Sequence, residues 1–211
     1  VARPYSSFSN TGFLVDPFVI DKVLDYNGDI IYQAEPKVAC TNNQCVADDE
    51  LNAPRIIEER NAYIMNTILQ DVIRIGSGKK ARALKREDIG GKTGTTNDQK
   101  DAWFSGYNPY MTTSVWVGFD NPSTLGRSEV GGRAALPIWM EYMEEALKAY
   151  PNEPLNEPEG IVNVSIDRQT GQAVPANSTG SVSEIFREEN APEVPLISEK
   201  KMEEITEDLF Q

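Results

Sequence analysis

The apolar positions of this chain follow two periods, one helical and one of strand type. Tyr5, Phe8 and Ser9 keep partial helical spacing and Gly12 stands where a C-terminal cap would. Residues 1–11 therefore read as the end of a helix, with Pro4 suited to its first turn. Residues 13–34 read as a hairpin. Phe18-Val19-Ile20-Asp21-Lys22-Val23-Leu24-Asp25 is rich in strand formers, Asn27-Gly28 is a strong hairpin signal, and Ile30-Ile31-Tyr32 returns. A polar loop fills 35–54, with Pro36 and Pro54 at its ends. Ile57, Tyr63, Ile64, Ile68, Leu69, Val72 and Ile75 then predict an amphipathic core helix over 55–75, ended by Gly76. Three strands are expected next, at 89–96, 102–107 and 112–119. In the third, Val115 and Val117 face one side and Trp116 the other. The stripe of Trp103, Phe104 and Tyr107 reads as core. Residues 121–132 form a loop, and 133–150 a helix with Pro137 in its first turn. Beyond Pro151 the pattern fades. A small hairpin over 161–175 around Thr170-Gly171 is expected, and then an acidic, mobile extension. The domain reading is 1–150 and 151–211.

Composition narrows the chemistry. The chain has 211 residues, 39% hydrophobic, and no apolar run approaches the length of a membrane span. No signal peptide or initiator Met is visible at Val1, so the chain reads as a piece of something longer. Net charge is −13. Residues 141–211 hold 16 acidic and 5 basic side chains, so the acid sits mostly in the last third. That balance argues against nucleic acid and against anionic lipid. Histidine is absent, which removes Ser-His-Asp and Cys-His mechanisms and the commonest metal ligand from this chain. Two cysteines make no structural zinc site alone, so no metal is expected. A nucleophilic reaction here would need a lysine or carboxylate base. Cys40 and Cys45, in a polar loop, can close a small disulfide ring in an oxidising compartment; the alternative is two free thiols.

The chemistry concentrates in Gly90-Gly91-Lys92-Thr93-Gly94-Thr95-Thr96, ahead of the polar turn Asn97-Asp98-Gln99-Lys100. One ammonium and three hydroxyls on a glycine-flanked strand are well suited to a carboxylate. Glycines there let a backbone approach a ligand. As bare local structure the same string is a turn-rich edge strand. Gly76-Ser77-Gly78-Lys79-Lys80 is not a phosphate loop: Ile73 stands where its first glycine belongs, and Lys80 where Ser or Thr belongs. Ser77-Gly78-Lys79-Lys80 spells S-x-x-K, but two glycines and a basic run argue against the helix start that motif needs. Ser198-Glu199-Lys200-Lys201 matches in the acidic tail and is discounted. Six basic residues, Arg74, Lys79, Lys80, Arg82, Lys85 and Arg86, read as solvated loop charges, or else as a patch raising the local potential.

Lys92-Thr93-Gly94 is also the third signature of the penicillin-recognising serine enzymes. Around it, Asp101-Ala102-Trp103-Phe104-Ser105-Gly106-Tyr107, Val115-Trp116-Val117-Gly118-Phe119-Asp120 and Gly131-Gly132-Arg133-Ala134-Ala135-Leu136-Pro137-Ile138-Trp139 resemble the end of the transpeptidase domain of class A penicillin-binding proteins of Gram-negative bacteria. The resemblance covers 53–148 strongly, 1–39 loosely, and returns weakly at 160–167. It implies an α/β (α+β) fold, the C-terminal half of the serine β-lactamase and penicillin-binding transpeptidase architecture, with an antiparallel sheet and flanking helices. It implies a serine D,D-transpeptidase that cross-links peptidoglycan stem peptides, is acylated by β-lactams and needs no cofactor. Lys92 would supply charge and proton transfer. Thr93 and Thr95 would line the cleft, with the Thr95 hydroxyl on the ligand carboxylate and its N–H in the oxyanion hole. Gly94 would permit close approach and Thr96 would extend the motif. The other two signatures are missing, so the nucleophile is expected N-terminal to Val1, in an upstream part of the same protein. That parent would carry a glycosyltransferase domain and a membrane anchor and face the periplasm. The rival readings are a non-catalytic periplasmic binding or scaffold chain, and a soluble DD-peptidase or β-lactamase.

Overall fold

The computed structural model describes residues 1–41 and 49–194, which fall into two units, Val1–Pro158 and Glu159–Gln211. The first unit begins with helix α1 (Ala2–Ser9) and a small hairpin, β1 (Lys22–Leu24) and β2 (Ile30–Gln33). Helix α2 (Glu59–Arg74) follows. Three strands come next, β3 (Gly90–Thr95), β4 (Asp101–Asn108) and β5 (Met111–Gly118), and then helix α3 (Gly131–Ala146). The three strands form one antiparallel sheet in the order β3-β4-β5, which leaves β3 at an edge. The expected mixed α/β arrangement is present.

Alternation along β4 builds the core. Phe104 faces α3 and meets Trp139 edge-on, with ring centroids 5.0 Å apart. Ile73 of α2, Ile89, Leu136, Met143 and Leu147 close round them. Full burial of each such side chain is worth about 1.5–3 kcal/mol. Tyr107 points to the opposite face of the sheet, where its O–H donates to Asn66 of α2 at 3.1 Å. Burial pushes its phenol well above the ordinary tyrosine range. Arg86 and the buried Asp88 pair ahead of β3, with a guanidinium nitrogen 2.6 Å from a carboxylate oxygen. Arg86 also donates to the Tyr150 carbonyl, and Asn152 accepts the Glu87 N–H. Tyr150 and Asn152 are thereby tied to the segment ahead of β3.

Several expectations need correction. The helix over 55–75 was expected to bury Ile68 and Ile75, yet they are 56% and 79% exposed. The buried face carries Ala62, Asn66, Leu69, Gln70 and Ile73 instead. Asn66 and Gln70 can be buried because each has a partner, the Tyr107 hydroxyl and the Glu87 carbonyl. The first hairpin is shorter than its sequence pattern. Ala34 still donates to the Asp21 carbonyl, but the next donor in that ladder would be Pro36, which has no N–H. Trp103 is not core: it is half-buried and lies tilted against Trp116, centroids 6.2 Å apart, while Trp116, expected on the face opposite Val115 and Val117, is 44% exposed. Helix α3 starts at Gly131, so Pro137 lies in its second turn rather than its first. Arg86 is no solvated loop charge, since the buried Asp88 holds it.

The second unit contains β6 (Ile161–Asp167) and β7 (Ser181–Arg187), paired antiparallel. The expected return over 171–175 makes a single bridge, Ile166 to Ala173. Asp167 accepts the Gln169 and Thr170 N–H groups and closes a turn there, and the Val174 N–H still donates to the Ser165 carbonyl at 2.9 Å. Cys40 is disulfide-bonded, while Cys45 lies outside the described residues, as does the extension beyond residue 194.

Candidate active site

Strand β3 carries four of the five candidate residues, Lys92, Thr93, Gly94 and Thr95, and Thr96 stands just beyond its end. Each pairs with β4 in a fixed register: Lys92 opposite Ser105, Thr93 opposite Phe104, Gly94 opposite Trp103 and Thr95 opposite Ala102. The two glycines before Lys92 serve packing, not ligand approach. A Cβ at Gly90 would press on the Tyr107 ring at 3.0 Å. One at Gly91 would lie 2.9 Å from the tip of Phe104. The expectation that all three glycines open the backbone to a ligand therefore leaves only Gly94, which is half-buried beside Trp103.

The sheet ladder fixes which backbone groups face outward. The Thr96 N–H donates to the Asp101 carbonyl of β4 at 3.1 Å. Successive residues of a strand point their N–H groups to opposite sides. The Thr95 N–H is therefore turned away from β4, toward the open edge of the sheet, and so is the Thr93 carbonyl. Lys92 reaches round that edge. Its ammonium donates to the Thr93 carbonyl at 2.9 Å and lies 3.4 Å from the Thr93 hydroxyl. An ammonium has three donors, so at least one remains for a ligand.

The three threonines are in different states. The Thr95 hydroxyl accepts the Gly131 N–H at 3.0 Å, which fixes its rotamer while leaving its own hydrogen to donate. That bond also sets the first residue of α3, with the positive end of the helix, against β3. The approach is close: a Cβ on Gly131 would fall 2.3 Å from the Trp103 carbonyl oxygen and 2.5 Å from that of Gly94. Thr93 meets Ser77, whose Oγ is 2.8 Å from Thr93 Oγ1. Thr96 is committed to the β3–β4 turn. Its hydroxyl accepts the Asp101 N–H at 2.8 Å and donates to the Asp101 carboxylate at 3.1 Å. The other Asp101 oxygen accepts the Trp116 indole N–H at 2.9 Å. Of the candidates, Thr96 is thus the one whose side chain is already spent locally.

Ser77 stands where sequence reasoning did not expect it. Its S-x-x-K pattern spells a nucleophile motif, but its two glycines and basic run argue against the helix start that motif needs. A 3-10 helix does begin there, over Lys79–Leu84, just after Gly78. The recorded partner of the hydroxyl is Thr93, sixteen residues on, rather than a lysine amine. Gly131, Asp101 and Trp116 also had no predicted role; the Gly131-Gly132 pair that opens α3 is the signal that could have marked a close contact.

The whole of residues 1–144 matches the penicillin binding protein transpeptidase domain, and the chain belongs to that family. Among curated relatives, penicillin-binding protein 1A of Pseudomonas aeruginosa is 43% identical over 91% of this chain and 28% of its own length. Penicillin-binding protein 1A of Neisseria gonorrhoeae is 48% identical over 77% of this chain and 19% of its own. The crystal structure of penicillin-binding protein 1A from Haemophilus influenzae superposes with a TM-score of 0.79. Its identity is 34%, over 92% of this chain and 32% of that one. This chain thus spans less than a third of the first relatives it matches.

Proposed function

We propose that this chain is the C-terminal part of a serine D,D-transpeptidase that cross-links peptidoglycan stem peptides and is acylated by β-lactam antibiotics. The observation that carries the reading is the open edge of β3. There an ammonium, two hydroxyls with a hydrogen to give and an outward N–H lie side by side. The nucleophilic serine and its base lie upstream of Val1 in the same protein. The serine attacks the carbonyl between the two terminal D-alanines, an ester forms, and the terminal D-Ala leaves with a proton on its amine. An amine of a second stem peptide then takes the acyl group and frees the serine; water in its place gives carboxypeptidase activity. The Thr95 N–H is one oxyanion donor, worth about 2.7–4 kcal/mol at the transition state. Lys92 and the Thr93 and Thr95 hydroxyls hold the terminal carboxylate of the acyl donor. The parent also carries a glycosyltransferase domain and a single membrane anchor, with this part on the periplasmic face. The disulfide at Cys40 agrees with an oxidising compartment.

The test is labelling of the full-length protein with a fluorescent penicillin, followed by mass mapping of the modified peptide. The expected label is a slowly hydrolysed adduct on a serine N-terminal to Val1. An adduct on Ser77 would move the nucleophile into this chain, and rapid turnover without an adduct would favour a β-lactamase.

A further inference from the structure

Ser77 is exposed, yet the backbone on both sides of it is closely packed. On its N-terminal side, a Cβ at Gly76 would lie 2.8 Å from Val72 Cα. On its C-terminal side, the buried Gly78 donates its N–H to the Val72 carbonyl at 2.9 Å. Across from it, a Cβ on Gly132 would fall 2.9 Å from the Ser77 carbonyl oxygen. The end of α2 and the start of α3 therefore hold this residue from both sides against β3. A surface serine in a mere connecting loop would need no such seating. Its hydroxyl is not spent on the loop either; it crosses to Thr93.

We propose that Ser77 is a positioning residue of the carboxylate subsite on β3, acting through the Thr93 hydroxyl; this rests on the function proposed above. The hydrogen count makes the case. Lys92 has no lone pair, so its ammonium donates to the Thr93 oxygen. The two hydroxyls are 2.8 Å apart, and either can donate to the other. Whichever does, one hydroxyl hydrogen of the pair is left over and can turn to the ligand. If Ser77 donates, Thr93 presents its hydrogen to the ligand. If Thr93 donates, Ser77 presents one. Beside it the Thr95 hydroxyl has a hydrogen of its own, since its contact with Gly131 uses only a lone pair. The subsite thus offers an ammonium and two available hydroxyl hydrogens to a carboxylate. Lys79 and Lys80, two and three residues further on, are exposed and add positive charge to this stretch of the chain.

The test compares two ligands on the full-length protein: a penicillin with a free carboxylate and its methyl ester. Ser77→Val and Ser77→Thr are a matched pair in shape that differ in the hydroxyl. The second-order acylation rate constant is measured for each. For Ser77→Val we expect about a tenfold loss with the carboxylate ligand and little change with the ester, the scale of one lost charge-assisted hydrogen bond. Ser77→Thr should stay within about twofold of the parent on both ligands. Equal losses on both ligands would make Ser77 a structural residue and overturn the proposal, as would no loss on either. If Ser77→Val does not fold, a selective loss in Ser77→Ala decides in the same way. Absence of acylation in the parent protein would bring down the transpeptidase reading itself, whereas an acylated parent with an unchanged ligand ratio brings down only the role of Ser77.

Discussion

Lys92 illustrates how much a single side chain can carry without supporting the fold. It sits on the edge strand, it is exposed, and its recorded partners are the carbonyl and hydroxyl of its neighbour Thr93. No buried group depends on it. Its ammonium is nonetheless the cation of the β3 edge toward which any carboxylate is drawn. Replacing Lys92 with Ala should therefore cut penicillin acylation of the full-length protein by at least about 100-fold, the scale of removing one preorganised electrostatic contact. Unfolding stability should change by no more than about 0.5 kcal/mol, as for other surface substitutions. Stopped-flow acylation and urea titration on the same preparation check both halves. Near-normal acylation would remove Lys92 from the site. Thr96 makes the contrast. It belongs to the same string, but its hydroxyl is bound to Asp101 on both its donor and its acceptor side, so it shapes the turn.

Between elements, the decisive contact is that of α3 with β3, and it passes through Gly131. The N–H of this residue holds the Thr95 hydroxyl, and its missing side chain lets the helix come within van der Waals reach of two strand carbonyls. A Cβ there has backbone on both sides and no flexible neighbour to displace. Gly131→Ala should cost about 1–3 kcal/mol through overpacking. It should also slow acylation, because the helix can only relax by drawing away from Thr95. A variant that keeps both its urea midpoint and its acylation rate would show that α3 does not set this threonine. The same contact marks the boundary of what the sequence could reveal. The strands β3 to β5 were legible because alternation and turn residues act locally, and the string around Lys92 was legible because its residue types are unusual together. The face of α2 was not, since Asn66 and Gln70 look polar until Tyr107 and Glu87 arrive from distant segments to satisfy them. Ser77 escaped for a similar reason: its partner Thr93 is fixed by the packing of the segment between α2 and β3, which no local spacing encodes.

At the scale of the whole molecule, the candidate chemistry is confined to one of the two units. Ser77, Lys92, Thr93, Thr95 and Gly131 all fall within Val1–Pro158. So do the Arg86–Asp88 pair ahead of β3 and the hydrogen bond of the Tyr110 hydroxyl to Glu153. The second unit has a different character. Among its described residues the regular structure is the β6–β7 pair and a one-turn 3-10 helix, Glu188–Asn190, and Ile161 and Ala173 are its buried apolar residues. A lone two-stranded hairpin is marginal in water, so this part has little core of its own. Two results follow from that asymmetry. Ending the full-length protein after Pro158 should leave the penicillin acylation rate within about twofold of the parent, since the hydrogen bonds described at the β3 edge join residues of the first unit. The excised piece from Glu159 onward should show no cooperative thermal transition by circular dichroism. A loss of acylation beyond tenfold on truncation would assign part of the active site to the second unit, and a sharp melting of the excised piece would reveal a core that its two strands do not account for.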